Sequence, residues 1–277
     1  IHAPDHILAH PERVKPERHA DYTVLTTMPN LPNPLAVRLT VAGEAVSLDD
    51  TVMLACERVL HLEEACLSRR LVIRTCAGLR VVIDSERFVS WADPYLVCFR
   101  YRVAPDEDAP VEIAPFIATA VANARGIRLF TVAEERTAPG MNLVTAAIAE
   151  PAQQVSIAQA YRIVNDGGAQ MLEATISVSR VSAEEAELRA RATLAAGYIT
   201  QRATHVAAVQ AELARGRAEI ATDALTAQGF RFGQLHLEMA LARNNSAVSV
   251  PIKGLTGEGY RFMISGTPTS TCSPIIC

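Results

Sequence analysis

The pattern of this chain changes once, at Ser182, and that change limits the folds open to it. From about Tyr22 to Arg180 the apolar residues fall in short, β-branched segments punctuated by Gly, Pro and Asp. Leu35–Val41 partly alternates and ends at the turn Gly43-Glu44. Leu71–Arg74 and Leu79–Ile83 flank Ala77-Gly78 and read as a hairpin, and Tyr95–Val103 is the best-formed strand pattern. Val111–Phe116, Val144–Ile148, Gln154–Ile163 and Leu172–Val178 complete the series. Many short strands with turn signals between them predict an antiparallel sandwich.

After the change, Ala, Glu, Arg and Leu dominate to about Ala221. Ser182, with Glu185 three residues on, reads as a helix start. Gly197 and Gly216 interrupt the stretch and predict a break between helices. A further helical stretch runs from about Ala224 to Asn244, with Phe230, Leu235, Leu237, Met239 and Leu241 as its expected buried side. No heptad is sustained, so these are packing helices and not a coiled coil. The fold class is mainly β with α.

Composition narrows the function classes. Of 277 residues, 49% are hydrophobic and 20% charged, which suits a packed core and excludes a disordered chain. A net charge of −4 lacks the basic footprint of a nucleic-acid binder. No apolar run reaches the length of a membrane helix, and the N-terminus lacks a signal-peptide layout, so cytoplasm is the expected compartment. None of the six cysteines forms a Cys-x-x-Cys pair, and Cys56, Cys66, Cys76 and Cys98 sit in or beside apolar segments as buried thiols do. His2, His6 and His10 would share one helix face, but Pro4 and Pro11 oppose a helix there, and a frayed terminus is favoured over a metal site. No metal or cofactor is expected.

Few residues carry a chemical reading. Gly254, Gly257 and Gly259 lack the spacing and the Lys-Ser/Thr ending of a phosphate loop, and tight turns explain them better. Asp166-Gly167-Gly168 is likewise a turn. Trp91 could stack on a sugar, but packing beside Asp93-Pro94 is favoured. Glu63-Glu64 and Glu184-Glu185 read as solvated faces or helix starts, and Glu258 as a loop carboxylate bonding backbone amides.

Several stretches together resemble glycoside hydrolase family 65, which includes maltose, trehalose and kojibiose phosphorylases. Lys253-Gly254-Leu255-Thr256-Gly257-Glu258-Gly259-Tyr260 resembles the loop that leads into the family's catalytic barrel. Glu86–Leu96 is similar to a family stretch that usually has Met where Trp91 stands. Met28–Leu35, Leu60–Arg69, His205 and Phe230–Leu237 add weaker matches. The family linker usually carries two Trp residues after its His, where this chain has Val209 and Leu213.

The resemblance implies an antiparallel β-super-sandwich of the galactose-mutarotase type, then linker helices, then the first helix of an (α/α)6 barrel. The expected division is a frayed segment over 1–20, the super-sandwich over 21–181, linker helices over 182–222, the start of the catalytic barrel over 223–260 and an anomalous tail over 261–277. It further implies an inverting disaccharide phosphorylase or glycoside hydrolase of carbohydrate metabolism acting on α-glucosides, in which one carboxylic acid protonates the glycosidic oxygen. Phosphate or water attacks from the opposite face, with roughly 6.5–9.5 Å between catalytic groups in the hydrolytic case. Inorganic phosphate would be a substrate and not a cofactor. Lys253, Gly254, Thr256, Gly257, Glu258, Gly259 and Tyr260 would line the substrate loop. The general acid and the phosphate ligands lie further along the barrel, so the chain is expected to be inactive as it stands. The partners implied are an α-linked disaccharide for the parent enzyme and a second copy in a homodimer, with no nucleic acid and no membrane. The alternative is a non-catalytic carbohydrate-binding or dimerisation module.

After Tyr260 the family continues through Gly-His into Phe-Trp-Asp-Thr, whereas this chain runs through Arg261-Phe262-Met263 to Cys277. One back-translation of Phe262–Cys277, read two nucleotides later, restores His-Asp-Phe-Trp-Asp-Thr-Asp. The expectation is a truncated, frameshifted chain that has also lost an N-terminal segment before Ile1. Sequencing the coding DNA from about codon 255 onward checks this. The shifted frame continuing into a long helical stretch is the expected outcome, and its absence makes the tail native.

Overall fold

The computed structural model describes residues 8–10, 25–27, 29–47, 49–123, 126, 128–148, 153–216, 218 and 220–240. These hold strands β1 Leu8–His10, β2 Leu25–Thr27, β3 Asn33–Val41, β4 Glu44–Ala45, β5 Val52–His61, β6 Cys66–Arg74 and β7 Arg80–Val89. They continue with β8 Leu96–Pro105, β9 Val111–Ala118, β10 Thr131–Ala138, β11 Met141–Ile148, β12 Gln153–Asp166 and β13 Ala169–Ser179. Three helices follow: α1 Ala183–Ala196, α2 Tyr198–Arg215 and α3 Ala224–Ala240. β1 lies inside the first twenty residues, where a frayed terminus is expected, and pairs antiparallel with β2. The tail 261–277 and the loop 253–260 lie outside the described residues.

One eight-stranded sheet, in the order β10-β11-β12-β13-β8-β7-β6-β5, organises the chain. Every pairing in it is antiparallel. It consists of two four-stranded meanders joined along β13 and β8, where Gln170–Ser177 meets Leu96–Val103. Tight turns build the meanders. Between β12 and β13, Gly167 and Gly168 both take positive φ (55° and 85°), which closes a two-residue hairpin that a residue with a Cβ resists.

The sheet has two faces, and each is covered differently. Alternation places Leu71, Ile73, Val81, Ile83, Val97, Phe99, Val103, Ile157, Leu172 and Ile176 on the inner face. A small sheet, β4-β3-β9, lies on that face through Leu39, Val41, Ile113 and Ile117. The two sheets are also joined by a buried polar bridge. The Asn142 side-chain amide donates to the Pro115 carbonyl (2.9 Å) and to the Gln159 Oε1 (2.7 Å), while the Gln159 amide donates to the Pro34 carbonyl (2.6 Å). Apolar packing alone allows sliding, whereas these directional bonds fix how the small sheet sits.

The outer face is covered by helices. Ser182 caps α1, accepting from the Glu185 amide at 3.1 Å. The Glu185 carboxylate does not return to Ser182 but accepts from the Ser179 hydroxyl, tying the helix start to the end of β13. Ala186 and Ala190 then pack on Met141, Leu143, Ala158 and Ala160, small residues that let helix and sheet approach closely. Gly197, at φ 86°, separates α1 from α2 as expected. Asp223 caps α3, its Oδ1 accepting from the Leu225 and Thr226 amides at 3.0 Å each.

Three expectations need correction. Leu235 is buried, but Leu237 and Met239 are exposed (67% and 42%), because α3 packs chiefly against α2 among the described residues. Leu241 lies outside those residues. Cys56 and Cys76 are exposed, since β5 is an edge strand and Cys76 sits in the β6–β7 turn; only Cys66 and Cys98 are buried. β5 and β10, the two edges of the large sheet, went unrecognised as strands, and each carries one register shift, at Met53/Ala55 and at Val132/Glu134.

Gln159→Leu leaves the Pro34 carbonyl without its donor and takes one of the two acceptors of the Asn142 amide, at about 1–3 kcal/mol for each buried group left unpaired. Urea unfolding is expected to show a loss of a few kcal/mol for the single variant. The Asn142→Leu/Gln159→Leu double variant should lose less than the sum of the two singles.

Candidate functional site

Among the described residues, a row of polar groups lies on the outer face of the large sheet, where α2 meets β6, β7 and β8. Register places Val59, Ser68, Glu86, Arg100, Glu173 and Arg162 in one row across six adjacent strands. Glu86 accepts from the Tyr198 hydroxyl (2.7 Å) and from the Arg202 Nε (2.8 Å). Arg202 also reaches Glu64 at 2.6 Å, so Glu64 is a partner of α2 and not the solvated carboxylate expected. Arg100 stacks over the Tyr198 ring at 4.3 Å and pairs with Glu173 at 2.6 Å. Arg162 closes on the other oxygen of Glu173, its Nε at 2.9 Å.

Below this row the packing is apolar. Cys66, Phe88, Cys98 and Tyr198 form a buried cluster. His205 is fully buried and stacks on Phe88, with ring centroids 4.4 Å apart and 12° between planes. Its Nδ1 accepts from the Trp91 amide at 3.2 Å, which leaves the ring proton on Nε2. Nε2 is buried without a hydrogen-bond partner. Trp91 itself is half-buried in the turn between β7 and β8.

The electrostatics decide what this surface can do. Burial pushes the Glu173 carboxyl up, but hydrogen bonds and charge from Arg100 and Arg162 outweigh it and hold the group below the usual carboxylate range. A general acid for glycoside cleavage needs the opposite shift. Burial pushes the Cys66 and Cys98 thiols up to about 12, so neither is a nucleophile at neutral pH. Tyr198 is raised by burial and by Glu86, and stays a phenol donor.

Beside the row lies a shallow cavity of about 590 Å³, lined by Glu57, Arg70, Asp84, Glu86, Arg100 and Arg102 among others. Its carboxylates are largely neutralised in place, Asp84 by Arg70 at 3.1 Å and Asp166 by Arg102 at 2.8 Å. No group of His, Cys, Asp or Glu among the described residues could hold a metal ion. The geometry therefore docks a helix and orders a sheet surface.

Lys253, Gly254, Thr256, Gly257, Glu258, Gly259 and Tyr260, the expected substrate loop, lie outside the described residues. The structure instead joins two stretches that are far apart in sequence. Glu86–Leu96 and the helix carrying His205 meet through the Phe88–His205 stack and the Trp91–His205 hydrogen bond. Tyr198, Arg202 and Glu86 were not singled out, and only the proximity of Glu86 to Phe88 and of both α2 residues to His205 hinted at them.

His205 gives the site a pH dependence. Burial holds its pKa below the ordinary 6.5, so the unfolded chain takes up this proton first as pH falls. The contribution is complete above about 6.5 and is lost below it, at up to about 1.4 kcal/mol per pH unit. Urea unfolding at pH 7.5 and 5.5 is expected to show a smaller pH-dependent loss for His205→Gln than for the wild type.

Comparison with known proteins completes the picture. The model of the glycosyl hydrolase family 65 N-terminal domain matches residues 11–231. Among solved structures, a putative kojibiose phosphorylase from human microbiome superposes with a TM-score of 0.72 at 13% identity, covering 86% of this chain and 35% of that one. The chain therefore spans about a third of the length of that structure. No curated protein matches the chain by sequence. No described helix is long and apolar enough to cross a membrane. With its eight-stranded sheet, covering sheet and the helices α1 and α2 inside the matched span, the chain belongs to glycosyl hydrolase family 65 through that family's N-terminal domain.

Proposed function

We propose that this chain is the supporting super-sandwich of an inverting family 65 disaccharide phosphorylase or glycoside hydrolase acting on α-glucosides, and that it cleaves nothing by itself. The carrying observation is the family match over residues 11–231; the hydrogen bonds of Glu86 to α2 and the lowered pKa of Glu173 support the reading. In this reading α1 and α2 are the linker and α3 begins the catalytic barrel. An α-linked disaccharide and inorganic phosphate are then substrates of the whole enzyme, and the acid that protonates the glycosidic oxygen belongs to the barrel.

A specific observation favours a second role, dimerisation as a non-catalytic module. Large apolar side chains stand exposed on all three helices, among them Leu188 (73%), Ile199 (66%) and Leu225 (78%). Barrel helices or a second copy would cover such residues.

Incubating the purified chain with maltose, trehalose or kojibiose, with and without phosphate, is expected to release neither glucose nor glucose 1-phosphate. Turnover in either condition sinks the inactivity claim. Light scattering reads the second role directly: a concentration-dependent dimer supports it, and a stable monomer at high concentration removes it.

A further inference from the structure

Among the described residues, the inner face of the large sheet is only partly covered. Beyond the apolar core, the inward-facing positions of β5, β6 and β7 carry Arg58, Arg69 and Arg87. The same alternation that puts Leu71 and Ile83 in the core puts these three on its face. Arg58 and Arg69 are direct cross-strand partners. Arg69 opposite Ser85, and Arg87 opposite Leu67, place Arg69 and Arg87 on a diagonal of the next strand pair. Direct partners have Cβ atoms about 4.5–5.5 Å apart and diagonal neighbours roughly 7–8 Å.

Like charges this close destabilise a sheet unless something offsets them. On the outer face of the sheet Arg70 of β6 and Arg100 and Arg102 of β8 each meet a carboxylate. The inner trio meets none among the described residues. The remaining inward positions nearby are Cys56, Leu60, Leu67, Ser85, Val89 and Tyr101, and no carboxylate is among them. The Nε of Arg69 is buried with no hydrogen-bond partner, a charged donor already stripped of water. Arg58 and Arg87 remain exposed, so the face is accessible. Burial, together with the charges of Arg69 and Arg58, lowers the Arg87 pKa from its ordinary value, the expected signature of uncompensated repulsion.

We propose that Arg58, Arg69 and Arg87 form a binding site for a phosphate dianion, free or as a phosphomonoester, on the open part of the inner face. Guanidinium groups present planar donor forks that match phosphate oxygens, and three of them can engage separate oxygens. A dianion offsets two of three charges, where a single carboxylate offsets one. The Ser85 hydroxyl shares this face and can supply a further donor, while Leu60, Leu67 and Val89 give an apolar rim suited to the organic part of an ester.

The test is calorimetric titration of the full chain with inorganic phosphate and, separately, with phenyl phosphate, at pH 7.5 and constant ionic strength set by sodium chloride. Saturable binding of phosphate is expected, with tighter binding of phenyl phosphate if the natural ligand is an ester. Arg69→Gln should weaken binding at least tenfold, and Arg58→Gln/Arg87→Gln should abolish it. Without phosphate, both variants should melt no lower than the wild type, because removing a like charge relieves repulsion; this separates lost binding from lost folding. Equal responses to phosphate and chloride, or unchanged binding by the variants, overturn the proposal. So does binding of a glutamate-rich peptide in place of phosphate, which would assign the face to an acidic protein partner.

Discussion

Everything in this molecule depends on the pairing of β8 with β13. The two meanders, β5–β8 and β10–β13, are each local in sequence, but neither alone offers a face broad enough for both the small sheet and the helices. Joining Leu96–Val103 to Gln170–Ser177 makes one surface with two usable sides. The joint is reinforced where it matters most: Glu173 of β13 is held by Arg100 from β8 and by Arg162 from β12. A buried carboxylate between two arginines is stable only while all three strands keep register, so the ion triad reports on correct pairing as much as it stabilises it.

The two faces of that sheet follow different rules. The inner face is apolar, and its position against the small sheet is set by two amides that reach main-chain carbonyls of β3 and β9. The outer face is a lattice of opposed charges, closed over by α2 through Glu86, Tyr198 and Arg202. Arg70, Arg100, Arg102, Glu86 and Glu173 there each meet an opposite charge. The arginine trio inside breaks this rule of local compensation, and that contrast is why it stands out.

Most strands were legible in the sequence because they alternate or are continuously β-branched. Tyr95–Val103, Gln154–Ile163 and Leu172–Val178 fall within β8, β12 and β13. The edge strands were not. β10 reads Thr131-Val132-Ala133-Glu134-Glu135-Arg136, exposed throughout, and an edge strand needs no apolar face to pair on one side. The helix start at Ser182 and the break at Gly197 were legible from capping chemistry and glycine placement. The clasp on α2 was hidden because Glu86 stands 112 residues from Tyr198 and 116 from Arg202, a separation that local patterns do not bridge. Two of the stretches that carry the family resemblance meet in the fold, where Phe88, the Trp91 amide and His205 hold a helix on the sheet. The loop 253–260, where chemistry was expected, lies outside the described residues.

The two borders of the large sheet are unequal. Both are kinked by a register shift. β10 adds Glu134, Glu135 and Arg136, charges that discourage a foreign strand from adding on. β5 begins Val52-Met53-Leu54-Ala55-Cys56, exposed and uncharged over its first half, where the kink stands alone; its charges, Glu57 and Arg58, come only in the second half. Among the described residues the sheet is thus guarded along one border and only half-guarded along the other. Growth by strand addition, whether useful assembly or unwanted aggregation, has a built-in direction in this molecule.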